Sequence, residues 1–265
     1  MGSRVVASPP PPSNVVLDVD GCLTIGGAAV PGASEALRSI QRLGIRCVIA
    51  TNNSTRSPHH VARRLGTVLG VAVPPESVVT SAMAAVSLLG PEHDPALVIG
   101  EEGIRTALAE AGIAATDDAD AARSVIVGLD RRFDYDTLSR AARAAASGAA
   151  LIATNDDPTF PSVGPDVPGA GALLAAVEAA SGQRATVAGK PHAAMMRCVA
   201  ALLDPGVTWM VGDRAETDVA FARAGGWFAV LVLSGITVAA DLITEQWTPD
   251  LVIPSVADLP ALLGQ

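Results

Sequence analysis

Asn14-Val15-Val16-Leu17-Asp18-Val19-Asp20-Gly21 decides the fold. Its three apolar residues predict a short buried strand, and two carboxylates one residue apart follow at the strand's end. Side chains in a strand repeat every two residues, so Asp18 and Asp20 would share a face if the strand continued. Gly21 turns the chain directly after them, which leaves both acids at the lip of a sheet. Acids this close repel one another unless a cation sits between them or one holds a proton. That is costly in a structural element and useful for metal-assisted chemistry. Taken alone, Asp-x-Asp-Gly after a strand also fits a plain turn or a calcium-type loop.

Working outward, strand-like apolar runs alternate with helical patterns, as in a parallel sheet covered by helices. Pro31 to Leu43 predicts a helix, Arg46 to Ala50 a strand, and Ser57-Pro58 opens a helix ending near Leu69. Val78 to Thr80 and a helix from Ser81 to Leu89 follow. Near Pro91 to Pro95 a new module begins, with strands at 96–100, 124–128 and 149–153 and helices at 101–111, 135–146 and 169–180. The first pattern then resumes: a helix over 191–203, a strand at 208–211, a helix over 215–224, a strand at 228–233, a short strand near 251–253 and a closing helix. Residues 1–13, with Pro9 to Pro12 in a row and no apolar signal core, predict a disordered or extended leader.

Composition narrows the function. The chain has 265 residues, 49% of them hydrophobic but only 3% aromatic, so helix contacts should be built from small side chains. A net charge of −9 with no basic stripe argues against nucleic acid or an anionic membrane as partner. Three cysteines without CxxC spacing suit a reducing cytoplasm. The longest uncharged run, 224–240, is too short and too broken by glycines for a membrane span. Lysine occurs once, at Lys190, against seventeen arginines. A GC-rich genome explains this blandly; a site needing a compact point charge, which guanidinium cannot supply, explains it chemically.

Four polar segments fall on one expected sheet edge: Asp18-Val19-Asp20-Gly21, Thr51-Asn52-Asn53, Gly189-Lys190-Pro191 and Gly212-Asp213-Arg214-Ala215-Glu216-Thr217-Asp218. Ligands of open parallel sheets bind at the carboxyl ends of the strands. Separately, each segment has a plain explanation as a turn, a cap, a surface loop or a helix start. Together they suit phosphoryl transfer. The carboxylates can hold Mg2+, a hydroxyl and an amide at Thr51 and Asn52 can donate to phosphate oxygens, and Lys190 can neutralise charge.

These segments resemble the four motifs of the haloacid dehalogenase superfamily of phosphohydrolases. The similarity is strongest to subfamily IIA, which contains p-nitrophenyl phosphatases, pyridoxal phosphate phosphatases and NagD-type phosphatases. Supporting stretches are Thr51-Asn-Asn-Ser54, Gly100-Glu-Glu-Gly103, Val127-Gly-Leu-Asp130, Ala153-Thr-Asn155, Pro168-Gly-Ala-Gly171 and Val211-Gly-Asp-Arg214. The resemblance implies a Rossmann-like α/β core, Asp18 as nucleophile and Asp20 as general acid and base. It implies Mg2+ held by the Asp18 and Asp213 carboxylates and the Asp20 carbonyl, with Asp218 more remote or acting through water. It assigns phosphoryl binding to Thr51, Asn52, with Asn53 nearby, and Lys190. An acid at position 20 favours a phosphatase over dehalogenases and transport ATPases.

Spacing locates an insertion. About 140 residues separate Thr51 from Lys190, far more than a crossover needs. The expected layout is a catalytic core at 14–89 and 187–265, with an α/β cap of the family's type 2 at 90–186. In relatives the cap loop preceding Pro-Gly-x-Gly helps choose the substrate; here Phe160 stands where pyridoxal phosphate phosphatases carry His and suggests an apolar contact. Phe160 serves equally well as a loop anchor. Asp156 and Asp157 suit turn formation, and His192 a helix cap.

The expectation is thus a cytoplasmic, Mg2+-dependent phosphatase for a small-molecule phosphate ester, open to a homodimer through the cap although no diagnostic apolar stripe marks such a face. The same scaffold could also carry a catalytically silent regulatory or binding protein, or a phosphotransferase to an acceptor other than water.

Overall fold

The computed structural model describes residues 9–160, 167–237 and 247–263. Residues 1–8 of the expected leader, Pro161 of the cap loop and the end of the uncharged run lie outside them. Residues 9–13 run beside the main sheet, where the Pro10 carbonyl accepts the Trp209 indole N–H at 3.0 Å.

Among the described residues, six parallel strands form the main sheet, in the order 251–253, 228–232, 208–212, 14–17, 46–51 and 78–80. From the first strand, Asn14–Leu17, the chain steps one way to Arg46–Thr51 and Val78–Thr80, then returns to lay Thr208–Gly212 on the other side. The strand order therefore reverses between Asn14–Leu17 and Thr208–Gly212. In open α/β sheets the crevice at the carboxyl ends of such a pair is the usual ligand site. Asp18 and Asp213 are the residues that directly follow these two strands.

Both faces of the sheet are covered, so its strands read as apolar runs along most of their length rather than alternating. Val15 and Leu17 face Ile40, Leu65, Trp209 and Val230. Val16 faces the other way, towards Met195, Met210 and Phe221. Each fully buried Leu or Val stabilises by roughly 1.5–3 kcal/mol. Asn14 is the polar residue of the first strand: its amide donates to the Asp204 carbonyl at 2.9 Å and to Thr208 Oγ1 at 3.1 Å, pinning that strand to its neighbour.

A second parallel sheet comes from the intervening residues, with strands ordered 186–187, 150–153, 124–127, 96–99 and 115–116. Its helices Tyr135–Ala146 and Ala170–Ser181 pack on one face. On the other, Val98, Ile126 and Ile152 join the apolar cluster that contains Val16 and Met210. Helices Ser81–Val86 and Glu102–Glu110 lie in that shared layer. The α/β class with a Rossmann-like core, expected from the alternation of elements, is the observed architecture.

The differences from expectation concern ends and short elements. The helix expected over 215–224 is a π-turn, Ala215–Val219, continued by the α-helix Ala220–Gly225. A hairpin, Thr24–Ile25 with Ala28–Ala29, follows the Asp18 loop and carries no sequence signal beyond Gly26-Gly27.

Candidate active site

Asp18 leaves the first strand with its N–H still bonded to the Val211 carbonyl at 2.9 Å, so the sheet ladder itself aims this residue. The next turn, with Gly21 at φ 94°, allows close approach of Asp213: a Cβ at Gly21 would strike the Asp213 carboxylate, as would one at Gly235. Asp213 Oδ2 accepts the Ile236 N–H at 2.7 Å. Asp218 sits on the π-turn, where the Asp218 and Val219 N–H groups both reach the Arg214 carbonyl. Single π-turns of this kind are frequent at functional sites.

Lys190 closes the group. It is 2% exposed, and its Nζ donates to Asp18 Oδ1 at 2.5 Å and Asp218 Oδ1 at 2.7 Å. Asn52 holds its backbone at both ends, accepting the Lys190 N–H on Oδ1 at 2.8 Å and donating from Nδ2 to the Lys190 carbonyl at 3.1 Å. The Lys190–Pro191 peptide is cis.

Burial pushes the Asp18 carboxyl well above the usual range; Asp218 and Asp213 add to this, and Lys190 opposes it. Asp213 is pushed up to about 6, by burial first and then by Asp218. Burial also raises Asp20, against the pull of Arg64, Lys190 and a hydrogen bond from Asn53. For Lys190, burial acts to lower the pKa, but Asp18 and Asp218 outweigh it and keep the ammonium charged.

Oxygen atoms of Asp18, Asp213 and Asp218 lie within 4.8 Å of one another. Three buried carboxylates sharing one lysine carry excess negative charge, and an all-oxygen donor set of this kind fits a hard divalent cation. The Asp20 carboxylate lies outside this trio. One pocket is lined by Asp18, Asp20, Thr51, Asn52, Asn53, Phe160, Lys190, Asp213 and Asp218, the nine residues read from the sequence as candidates for catalysis, metal or substrate binding.

Some details differ from expectation. The Asn52 carboxamide, read as a phosphate donor, is spent on Lys190 and on Asp157 Oδ2 at 3.1 Å. Asn53 Oδ1 accepts from the Thr55 N–H and hydroxyl, and the Asn53 N–H bonds Thr51 Oγ1. Asp157, read as a turn former, bridges Asn52 to Arg214 Nη1, at 3.1 Å from the latter. Arg214 therefore pairs with an acid 57 positions away along the chain. The Asn155-Asp156-Asp157 run was visible in the sequence, but its partners were not. His192 occupies an N-cap position without a capping side-chain bond; its Nε2 lies 3.5 Å from Asp156. Phe160 lines the pocket with the Arg131 guanidinium 6.0 Å from its ring centre.

Comparison with known proteins agrees with this geometry. Residues 15–114 match the haloacid dehalogenase-like hydrolase family, and residues 187–259 match the HAD-hydrolase-like family. The chain belongs to the haloacid dehalogenase-like hydrolases. Within them it is a phosphatase of the subfamily IIA type. Human chronophin is 37% identical over 92% of this chain and 91% of its own. The structure of NagD from Escherichia coli K-12 superposes with a TM-score of 0.84 at 34% identity, covering 94% of this chain and 98% of NagD. Glycerol phosphate phosphatase Rv1692 from Mycobacterium tuberculosis, crystallised in complex with calcium, gives a TM-score of 0.85 at 31% identity over 93% of this chain and 74% of that one.

Proposed function

We propose that this protein hydrolyses a small-molecule phosphate monoester with Mg2+ through an aspartyl-phosphate on Asp18. The observation that carries the proposal is the buried Lys190 ammonium bridging Asp18 and Asp218 beside Asp213, at the point where the strand order reverses. The Asp18 and Asp213 carboxylates and the Asp20 carbonyl would hold the ion, and Asp218, whose oxygens already accept from Lys190 and the Arg214 N–H, would act through water. The bound ion supplies charge neutralisation at the phosphoryl oxygens.

The Asp18 carboxylate attacks phosphorus as the ester oxygen departs. Asp20, held above the ordinary carboxylate range by burial, gives that oxygen its proton. A water then attacks the acyl phosphate, losing its proton to Asp20 and freeing phosphate and Asp18. Lys190 and the Thr51 hydroxyl bind the phosphoryl oxygens. Because the Asn52 carboxamide is engaged, its share in phosphate binding falls to the main-chain N–H. Residues 90–186 act as the cap that carries Phe160 and Asp157 to the site.

In Asp18→Asn, p-nitrophenyl phosphate turnover should vanish while the thermal midpoint is kept. Turnover at the parent rate removes the nucleophile assignment. The three free cysteines agree with a cytoplasmic setting, and no described helix is long and apolar enough to cross a membrane. A homodimer through the cap belongs to the same proposal, and light scattering at several concentrations tests it.

A further inference from the structure

The pocket at Lys190 opens past Asp20, Thr51, Asn53 and Phe160 into a larger cavity of about 470 Å3. This is the size range of small-molecule sites. Because Asp20 faces both spaces and is the proton donor in the proposed reaction, the alcohol part of the ester must lie in the larger one. Val19, Ile25, Val61 and Leu65 give that space an apolar wall.

Its charges are distributed unevenly. Arg131 is paired with Glu101 at 2.6 Å, and Arg56 with Glu102 at 3.9 Å. Arg64 also lines the cavity, and it makes no ion pair or hydrogen bond among the described residues. Its guanidinium lies against the bare backbone of the hairpin turn, where a Cβ at Gly27 would come within 2.9 Å of Nη2. Asp20 and Arg64 line the same cavity, so the group stands on the leaving-group side of the site. In a chain of net charge −9, an uncommitted guanidinium facing this space is a ready partner for an anion, which it can bind through two parallel N–H donors.

We infer that the alcohol part of the substrate carries a second anionic group, and that Arg64 is the residue that recognises it. This rests on the phosphatase proposal and adds the substrate's chemical class. The cation is remote from the reacting phosphorus, so it should act on ground state and transition state alike and appear mainly in KM.

The test compares 4-(phosphonooxy)butanoate with 4-(phosphonooxy)butanamide, which differ in charge but present nearly the same leaving oxygen. At low ionic strength the parent should favour the carboxylate in kcat/KM by about tenfold or more, the scale of one charge-assisted contact. Arg64→Gln should bring the ratio close to one, and Arg64→Lys should restore part of it. A ratio of one in the parent, or a ratio that survives Arg64→Gln, overturns the inference while leaving phosphatase activity established. Failure of the parent to turn over either ester or p-nitrophenyl phosphate overturns the phosphatase proposal itself, and this inference with it.

Discussion

Lys190 shows what one residue contributes. Its ammonium is buried between Asp18 and Asp218, and each of the three would be costly to bury without the others. Replacing it by Met leaves two buried carboxylates facing Asp213 with no cation among them. Lys190→Met should lose roughly 3–5 kcal/mol in EDTA, read by urea unfolding, with Mg2+ recovering part of the loss. A variant as stable as the parent in EDTA would contradict the charge balance described here. The carboxylates also set a pH dependence. Asp213 titrates near 6 in the folded state against an ordinary value of 3.8, so the native protein holds a proton that the unfolded chain has released. Stability from this group is therefore lost as pH rises from about 4 through about 6. Thermal midpoints in EDTA should show this as a gap between Asp213→Asn and the parent that widens in the variant's favour over that window. The stabilisation of the parent by Mg2+ should grow over the same range, and an Mg2+ effect equally large at both ends would count against it.

At the scale of elements, the strands and long helices followed from apolar runs bounded by Gly and Pro. Tyr135–Ala146 and Pro58–Leu69 begin and end where their caps predict, at Asp134 and at Ser57 and Gly70. Two-residue strands such as Thr186–Val187 and Ala115–Thr116 escaped because neither carries an apolar run. They exist only through the partner strand that pairs them. The π-turn escaped as well, since its one-residue excess has no compositional mark. Deleting the exposed Glu216 should convert it to an ordinary α-turn and swing Asp218 about 100° around the helix axis. Turnover should then fall by at least about 100-fold with the circular dichroism spectrum retained. Full activity in that deletion would mean that the position of Asp218 is not critical.

Across the whole molecule, apolar packing and polar contacts both join the inserted residues to the main sheet. A continuous apolar layer runs from Val16 through Ile104 and Leu108 to Ile126 and Ile152. Near the pocket, Asp157 ties Asn52 and Arg214 together, and through them the backbones beside Lys190 and Asp218. Asp157→Ala leaves the half-buried Arg214 without its acid, and should cost about 1–3 kcal/mol of stability. It should lower kcat/KM for p-nitrophenyl phosphate as well, because Lys190 loses part of its support. A loss of stability with kinetics unchanged would make Asp157 a structural bridge only.

What the sequence by itself determined was the alternation of elements, the four polar segments at strand ends and the chemistry their side chains can perform. Local patterns suffice for this, because periodicity, caps and turn residues act within a few positions along the chain. Only the tertiary structure decided the partners: Asn52 with the Lys190 backbone and Asp157 with Arg214. Those contacts join residues 57 to 138 positions apart. Which of many available donors and acceptors meet is settled by the packing of two sheets on one shared layer, and no local pattern records it.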